Sequence, residues 1–396
     1  ARLSGGRLRL GIGVGKDPAE YEALGANFSN RGARCEEQME LLKRLWTEET
    51  LNFEGRWHRI SDAGINPLPI QKPIPMWIGA SGVPAQRIRR RIGELADGWF
   101  VLASPEEYPA IRDDVHRAAE AAGREAVERN PGDLWAVHGV AHVLEMQARA
   151  REGVAWVRRA PEAWADTNPF QNHVWWHLSL FHLELGERDA VFDLYDSRIR
   201  AEPSEEYLDI TNAASLLWRL EDEDADIGDR WDELADLAAA RESDHVLAFA
   251  DAHYVMCLAA AGRHEEGEHY LAAWTAHAAA YPEQTESPVT ADIGVPLARA
   301  ILEYRAGRFG RVVELLMPAR YGLIRLGGSH AQRDVFHQIL IEAAIRAGRL
   351  TLARALLSER LQQKPGSMLS WRRYGRVLDG VGDSVGAARA RENADR

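Results

Sequence analysis

A superhelix of paired α-helices, preceded by a shorter segment in which strands and helices alternate, is the mostly-α fold class this sequence predicts. Three observations carry it. From about residue 121 helical patterns follow one another in pairs, with no convincing strand between them. The turn inside each pair recurs at Ala148, Gly186, Gly228, Gly262, Gly307, Gly348 and Gly382, at spacings of 34 to 45 residues. Before residue 120, short apolar runs end in glycine and give way to helical patterns, as parallel βα units do. Two domains are therefore expected, 1–120 and 121–396.

Composition sets the outer bounds. With 396 residues, 46% of them apolar and 27% charged, the chain is long enough for two or three domains with an ordinary buried core. A formal net charge of −12 argues against a nucleic-acid surface, which needs a basic face. No apolar run reaches membrane-spanning length and no signal peptide is evident, so a cytoplasmic protein without membrane contact is expected. The two cysteines, Cys35 and Cys257, fall in different predicted domains and are expected to be reduced thiols.

In the first domain, Arg7–Gly15 (RLRLGIGVG) reads as a strand running into glycines. Helices are expected at Pro18–Leu24 and at Arg31–Trp46, where Met39, Leu41, Leu42, Leu45 and Trp46 share helical spacing. Thr50–Leu68 is expected as a hairpin carrying Phe53, Trp57 and Ile60. A second strand at Pro75–Ala80, a helix at Val83–Leu95, a third strand at Gly98–Ala103 and a helix at Glu106–Arg124 complete the alternation.

The motifs LSGGRLRLGIGVG, EYEALG with RGARCEEQMELLKRLW, NPLPIQKPIPMWIGAS and ADGWFVLASPEEY make this stretch similar to the bacterial-luciferase-like monooxygenases over about residues 3–124. That resemblance implies a piece of a TIM barrel and, as cofactor, FMN or coenzyme F420. It implies cofactor contacts at Gly13 and Gly15 beside the ring, and at Gly79, Ala80 and Ser81 near the phosphate. Lys16 stands where many relatives carry a tryptophan, and only about three of eight barrel strands are present. Read without the resemblance, the glycines mark tight turns and Ser81 is a helix N-cap.

In the second domain, AAAGRHEEG, YRAGRFGRV and IRAGRLTLA share a turn whose glycine permits a left-handed C-cap. The period and helix–turn–helix content indicate a tetratricopeptide-like superhelix of about seven hairpins. The motifs WAVHGVAHVLEM, NHVWWHLSLFHLELG and GGSHAQRDVF make residues 118–395 resemble the tetratricopeptide repeat protein 38 family. This implies the helical-repeat fold and little chemistry.

His138 and His142 lie four apart on one helix face, as do His173 and His177 on the first helix of the next unit. If first helices line a concave surface, four imidazoles cluster there, and His253, Arg333 and Asp334 extend a polar ligand groove. Neither pair carries the glutamate of a zinc-protease motif, and packing histidines with no metal are the expectation. Glu242/His245 and Glu266/His269 have di-iron spacing but are expected on solvated faces, as is the acidic run Glu221–Asp226. Tryptophans 135, 156, 164, 175, 176, 218, 231, 274 and 371 are expected as core.

Two functions compete on this reading. One is a binding scaffold that takes a peptide, protein or small molecule on its concave face, with no cofactor in this chain. The alternative is a flavin- or F420-dependent oxidoreductase whose barrel is completed by residues outside the chain. No catalytic residue is singled out by either.

Overall fold

The computed structural model of the chain describes residues 8–81, 85–102, 104, 106–165 and 169–395, without the side chains of residues 81, 101 and 102. The chain divides into two compact units, Ala1–Ala126 and Val127–Arg396.

In the first unit, three strands form a parallel sheet: β1 (Leu10–Ile12), β4 (Met76–Ser81) and β5 (Gly98–Leu102), in the order β1-β4-β5. Leu10 pairs with Met76, and Trp77 with Gly98. Of the expected strand Arg7–Gly15, Arg7 lies outside the described residues and the ladder covers Leu10–Ile12, ending before Gly13. The hairpin β2 (Leu51–Glu54) and β3 (Arg59–Ala63) forms where expected. Helices α1 (Pro18–Ala23), α2 (Arg31–Thr47), α3 (Gln86–Leu95) and α4 (Tyr108–Arg129) follow the predicted order. Asp17 caps α1, its side chain accepting from the Ala19 amide, and Pro18 supplies the preset first turn. α2 buries Cys35, Met39 and Trp46 against Met76 and Ile78 of the central strand. Glu37, also on α2, pins the β2–β3 turn by accepting from the amides of Arg56, Trp57 and His58.

Among the described residues the second unit forms seven α-helical hairpins. Their first helices are α5 (Leu134–Met146), α7 (Gln171–Leu185), α9 (Tyr207–Asp222), α11 (Ala248–Ala260), α14 (Val295–Arg305), α16 (His330–Arg346) and α18 (Met368–Gly380). Their partners are α6 (Ala150–Val157), α8 (Arg188–Leu194), α10 (Arg230–Ala239), α12 (His264–Ala280), α15 (Phe309–Ala319), α17 (Leu350–Gln363) and α19 (Ser384–Ala394), with the short α13 (Ser287–Val289) leading by a π turn into α14. Every one of the seven predicted turn residues, from Ala148 to Gly382, adopts a left-handed backbone with φ between 55° and 83°. That conformation satisfies the orphan carbonyls at each helix end and reverses the chain.

The first helices are apolar on most of their circumference, so each needs neighbours on several sides. α9 and α11 are buried almost from end to end. The array obtains those neighbours by curling: α16 packs on α5 and α9, and α18 packs on α7. Across this closure Lys364 is ion-paired to Glu145, and Ser367 Oγ and the Leu369 amide both donate to Glu184. One continuous core runs from Leu134 to Val377. The inner face is thereby filled by the chain's own helices rather than left as an open groove.

Three expectations about side chains are corrected here. Trp135 is 64% exposed, stacked on Phe170 and edge-on to His138, because it stands in the first turn of α5, at the rim of that packing. The acidic run is partly buried: Asp222 accepts from the Tyr304 hydroxyl, Glu221 pairs with Arg305 and Glu223 with Arg373. His245 is buried against Asp251, whose Oδ1 also accepts from Tyr270. His269 and Glu242 do form an exposed pair. Both cysteines are buried free thiols. Among the described residues no helix is long and apolar enough to cross a membrane.

Candidate functional site

The ends of β1 and β4 carry the glycines that the sequence singles out. Gly13 follows β1, Gly15 has φ 67°, and Gly79 and Ala80 lie in β4. A Cβ placed on Gly13 or Gly79 meets nothing within 4 Å, so neither glycine is required by packing. The side chain of Ser81 lies outside the described residues. Beside β1 is an open depression of about 1050 Å³ lined by Gly13, Gly15, Tyr21, Arg31, Arg34 and Gln38, with Gly79 and Ala80 outside it. β1, α1, α2 and His58 line this depression, and among the described residues β1 pairs only with β4, so its other edge carries no strand. The described residues lining the depression do not enclose a tricyclic ring, and no chemical step is derived from them.

In the helical unit the four predicted histidines converge. α5 supplies His138 and His142, α7 supplies His173 and His177, and one nitrogen of each ring lies within 4.8 Å of the others. The i, i+4 spacing places each pair on one face, and α5 and α7 pack directly together. Trp176 stacks on His173, and the Asn212 amide lies 2.9 Å from His173 Nδ1. His177 is fully buried, and among the described residues neither of its nitrogens has a hydrogen-bond partner, nor does His138 Nε2. Burial drives the rings toward neutrality: His138 falls to about 2, His173 to about 3 and His142 to about 4, with mutual repulsion adding to the effect at His138 and His173.

A second feature lies between α16 and α17, a cavity of about 340 Å³. Its polar lining includes His330, Arg333, His337, Arg360 and Lys364 together with the carboxylates of Asp334 and Glu359, against apolar Leu340 and Leu356. Burial alone would raise the Asp334 carboxyl, but Arg360 and Lys364 hold it well below the usual carboxylate range. Arg360 Nη2 donates to Asp334 at 2.9 Å. Arg333 donates to the carbonyls of Gly327 and Gly328 and has no carboxylate partner among the described residues. Burial lowers His330 and His337 below the ordinary imidazole value. His253 lies apart from both features, fully buried and hydrogen-bonded to the Phe249 carbonyl. The structure thus brings four of the seven predicted groove residues together, places Arg333 and Asp334 at a separate cavity, and puts His253 in the core. Glu145, Asn212, Arg360 and Lys364 went unread in the sequence: Glu145 and Lys364 meet through the closure, Asn212 meets His173 across neighbouring hairpins, and Arg360 meets Asp334 across its own hairpin, 26 positions away.

A model of the luciferase-like monooxygenases matches residues 1–214. The chain belongs to that family. It is 33% identical over 187 residues to an F420-dependent glucose-6-phosphate dehydrogenase of Intrasporangium calvum, covering 38% of this chain and 54% of that protein. A protein of the same name from Nakamurella multipartita is 37% identical over 123 residues, covering 28% of this chain and 35% of its own length. An uncharacterized protein of Mycobacterium tuberculosis is 34% identical over 125 residues, covering 31% of this chain and 42% of that protein. The chain spans about half, or less, of the length of these curated relatives. The luciferase-like match runs past Ala126 and takes in all four clustered histidines. Among solved structures, the anaphase-promoting-complex hetero-tetramer Cut9–Hcn1 aligns at 11% identity and a TM-score of 0.29, covering 74% of this chain and 66% of that one, too low a score to carry an argument.

Proposed function

We propose that this luciferase-like family member acts as a binding protein, with a small anionic ligand held in the cavity between α16 and α17. The observation that carries the reading is Arg333, a half-buried guanidinium that lines that cavity and forms no ion pair among the described residues, whereas the nearby Asp334 is already taken by Arg360. A carboxylate or phosphate is the complementary group, because a planar guanidinium donates to either in parallel pairs. Neutral His330 and His337 add hydrogen bonds, and Leu340 and Leu356 accommodate an apolar portion. Thermal unfolding of the full chain with inorganic phosphate and with a panel of dicarboxylates tests this. A concentration-dependent rise in Tm that disappears in Arg333→Gln supports it. No shift from any of them at millimolar concentration overturns it.

A second reading is favoured by the family match and by the names of the F420-dependent relatives. In it the first unit is a partial TIM barrel, and β1's open edge receives further strands that close a flavin or F420 cleft over Gly13, Gly15 and Gly79. Titration of the chain with FMN and with F420, followed by cofactor fluorescence, separates the readings. Micromolar binding lost in Gly79→Val favours the oxidoreductase; weak or absent binding favours the first.

A further inference from the structure

The four-histidine cluster has no part in the cavity reading, and its polar atoms are badly served by the protein alone. A neutral imidazole carries one N–H, and burying it without an acceptor costs about 1–3 kcal/mol. His177 buries both nitrogens unpartnered and His138 buries Nε2 unpartnered, on facing helices, at one point. Buried orphans gathered in this way call for something that accepts from, or bonds to, all of them.

We infer that His138, His142, His173 and His177 form a binding site for one divalent first-row transition ion of the zinc type. The donor set selects the class: four imidazoles, with no thiolate and no carboxylate among them, suit zinc, cobalt, nickel or copper and not magnesium or calcium, which take oxygen. The dimensions agree. Four donors no more than 4.8 Å apart define at most a tetrahedron whose centre is about 0.61 of its edge, roughly 2.9 Å, from each corner. A zinc–imidazole bond of about 2.0–2.1 Å requires each ring to close in by about 0.9 Å, within the reach of small side-chain rotations. The surroundings supply what such a centre needs around it. Turning the Asn212 amide over gives up a 3.5 Å contact from Gln332 Nε2, presents its oxygen to His173 Nδ1–H and leaves Nε2 for the ion. Glu145 lies one turn beyond His142; its Oε1 is taken by the ion pair with Lys364, while its Oε2 is buried with no hydrogen-bond partner among the described residues. Four protein ligands complete a tetrahedral sphere, so the ion clamps α5 to α7 and leaves no coordination position for a substrate.

The test uses the full chain, stripped with chelator and titrated with Co²⁺ and Zn²⁺. One equivalent of Co²⁺ per chain, with the visible absorption of a tetrahedral nitrogen site and quenching of tryptophan emission, is the expected result. Zn²⁺ displaces the cobalt and raises Tm. His177→Ala weakens Co²⁺ binding by at least about 100-fold, the upper end of what losing even an outer-shell partner costs. The exposed His269→Ala leaves it unchanged. Should His177→Ala fail to fold, the partly exposed His138→Gln and His142→Gln carry the comparison. A stripped chain that takes up neither ion at micromolar concentration, or folded ligand variants that bind as the parent does, overturns the assignment.

Discussion

Lys364, at the end of α17, is ion-paired to Glu145 of α5, 219 residues earlier in the chain. Both side chains are nearly buried, at 6% and 10% exposure, so the pair joins the sixth hairpin to the first where water does not screen it. Removing one partner strands the other charge. Lys364→Met is therefore expected to destabilise the chain by about 3–5 kcal/mol, and Lys364→Met/Glu145→Leu by much less. Urea denaturation of the two single variants and the double variant measures the difference; equal loss in all three would show that the closure does not depend on charge.

His253 makes stability depend on pH. Burial lowers its pKa to about 4 from an ordinary 6.5, against the opposing hydrogen bond to Phe249 and with the Arg219 charge adding to the shift. The unfolded chain takes up a proton near pH 6.5 while the folded one does not. The contribution is full above that value and is lost as pH falls toward 4, amounting to about 3 kcal/mol. Unfolding free energies at pH 7, 6 and 5 should fall less steeply in His253→Gln, by close to one proton.

Gly153 on α6 faces the ring of Phe181, and a Cβ there would stand 2.5 Å from three ring atoms. Phe181 is 2% exposed and has nowhere to retreat. Gly153→Ala is expected to cost about 1–3 kcal/mol by overpacking. Gly262, at a turn with φ 75° and open space around it, needs only a residue that tolerates the left-handed region. Gly262→Asn should stay within about 0.5 kcal/mol of the parent. Chemical denaturation of the two variants gives the ranking, and the reverse order would contradict it.

Glu37 holds three consecutive backbone amides of the β2–β3 turn, with His58 Nδ1 at 2.8 Å from the same carboxylate. In Glu37→Ala the amides of Arg56, Trp57 and His58 lose their acceptor. Hydrogen exchange at those three positions should accelerate while exchange in β4 stays as it was. Unchanged protection at 56–58 would mean that the hairpin is held by Phe53 and Leu51 alone.

Local signals in the sequence were strong for the elements and silent about closure. The left-handed turns were legible because a glycine, or Ala148, follows an apolar helix at each period. The strands at Leu10, Met76 and Gly98 were legible because each is an apolar run beside glycine. The His138/His142 and His173/His177 pairs were legible because i, i+4 spacing fixes a face and adjacent hairpins fix the neighbour. What was not legible depends on contacts between helices, from Arg360 to Asp334 at 26 positions to Lys364 and Glu145 at 219. Arg219 donating to the Ala331 carbonyl has no signature in any window of sequence. The burial of His253 and Asp334 follows from α16 crossing the inner face, which periodicity does not encode. Trp135 misled for the opposite reason: tryptophan is usually core, and here one ring stays outside to stack on Phe170.

Because α16 and α18 return to α5 and α7, the number of hairpins is not free to drift. An open array tolerates gain or loss of a whole unit, since every interior junction resembles the next. Here excision of a hairpin such as α11–α12 would carry Lys364 away from Glu145, and duplication of one would push the last helices past their seats. The seven-fold count is a closing condition, like the strand number of a barrel, and viable descendants of this chain should vary in loop length while keeping that count.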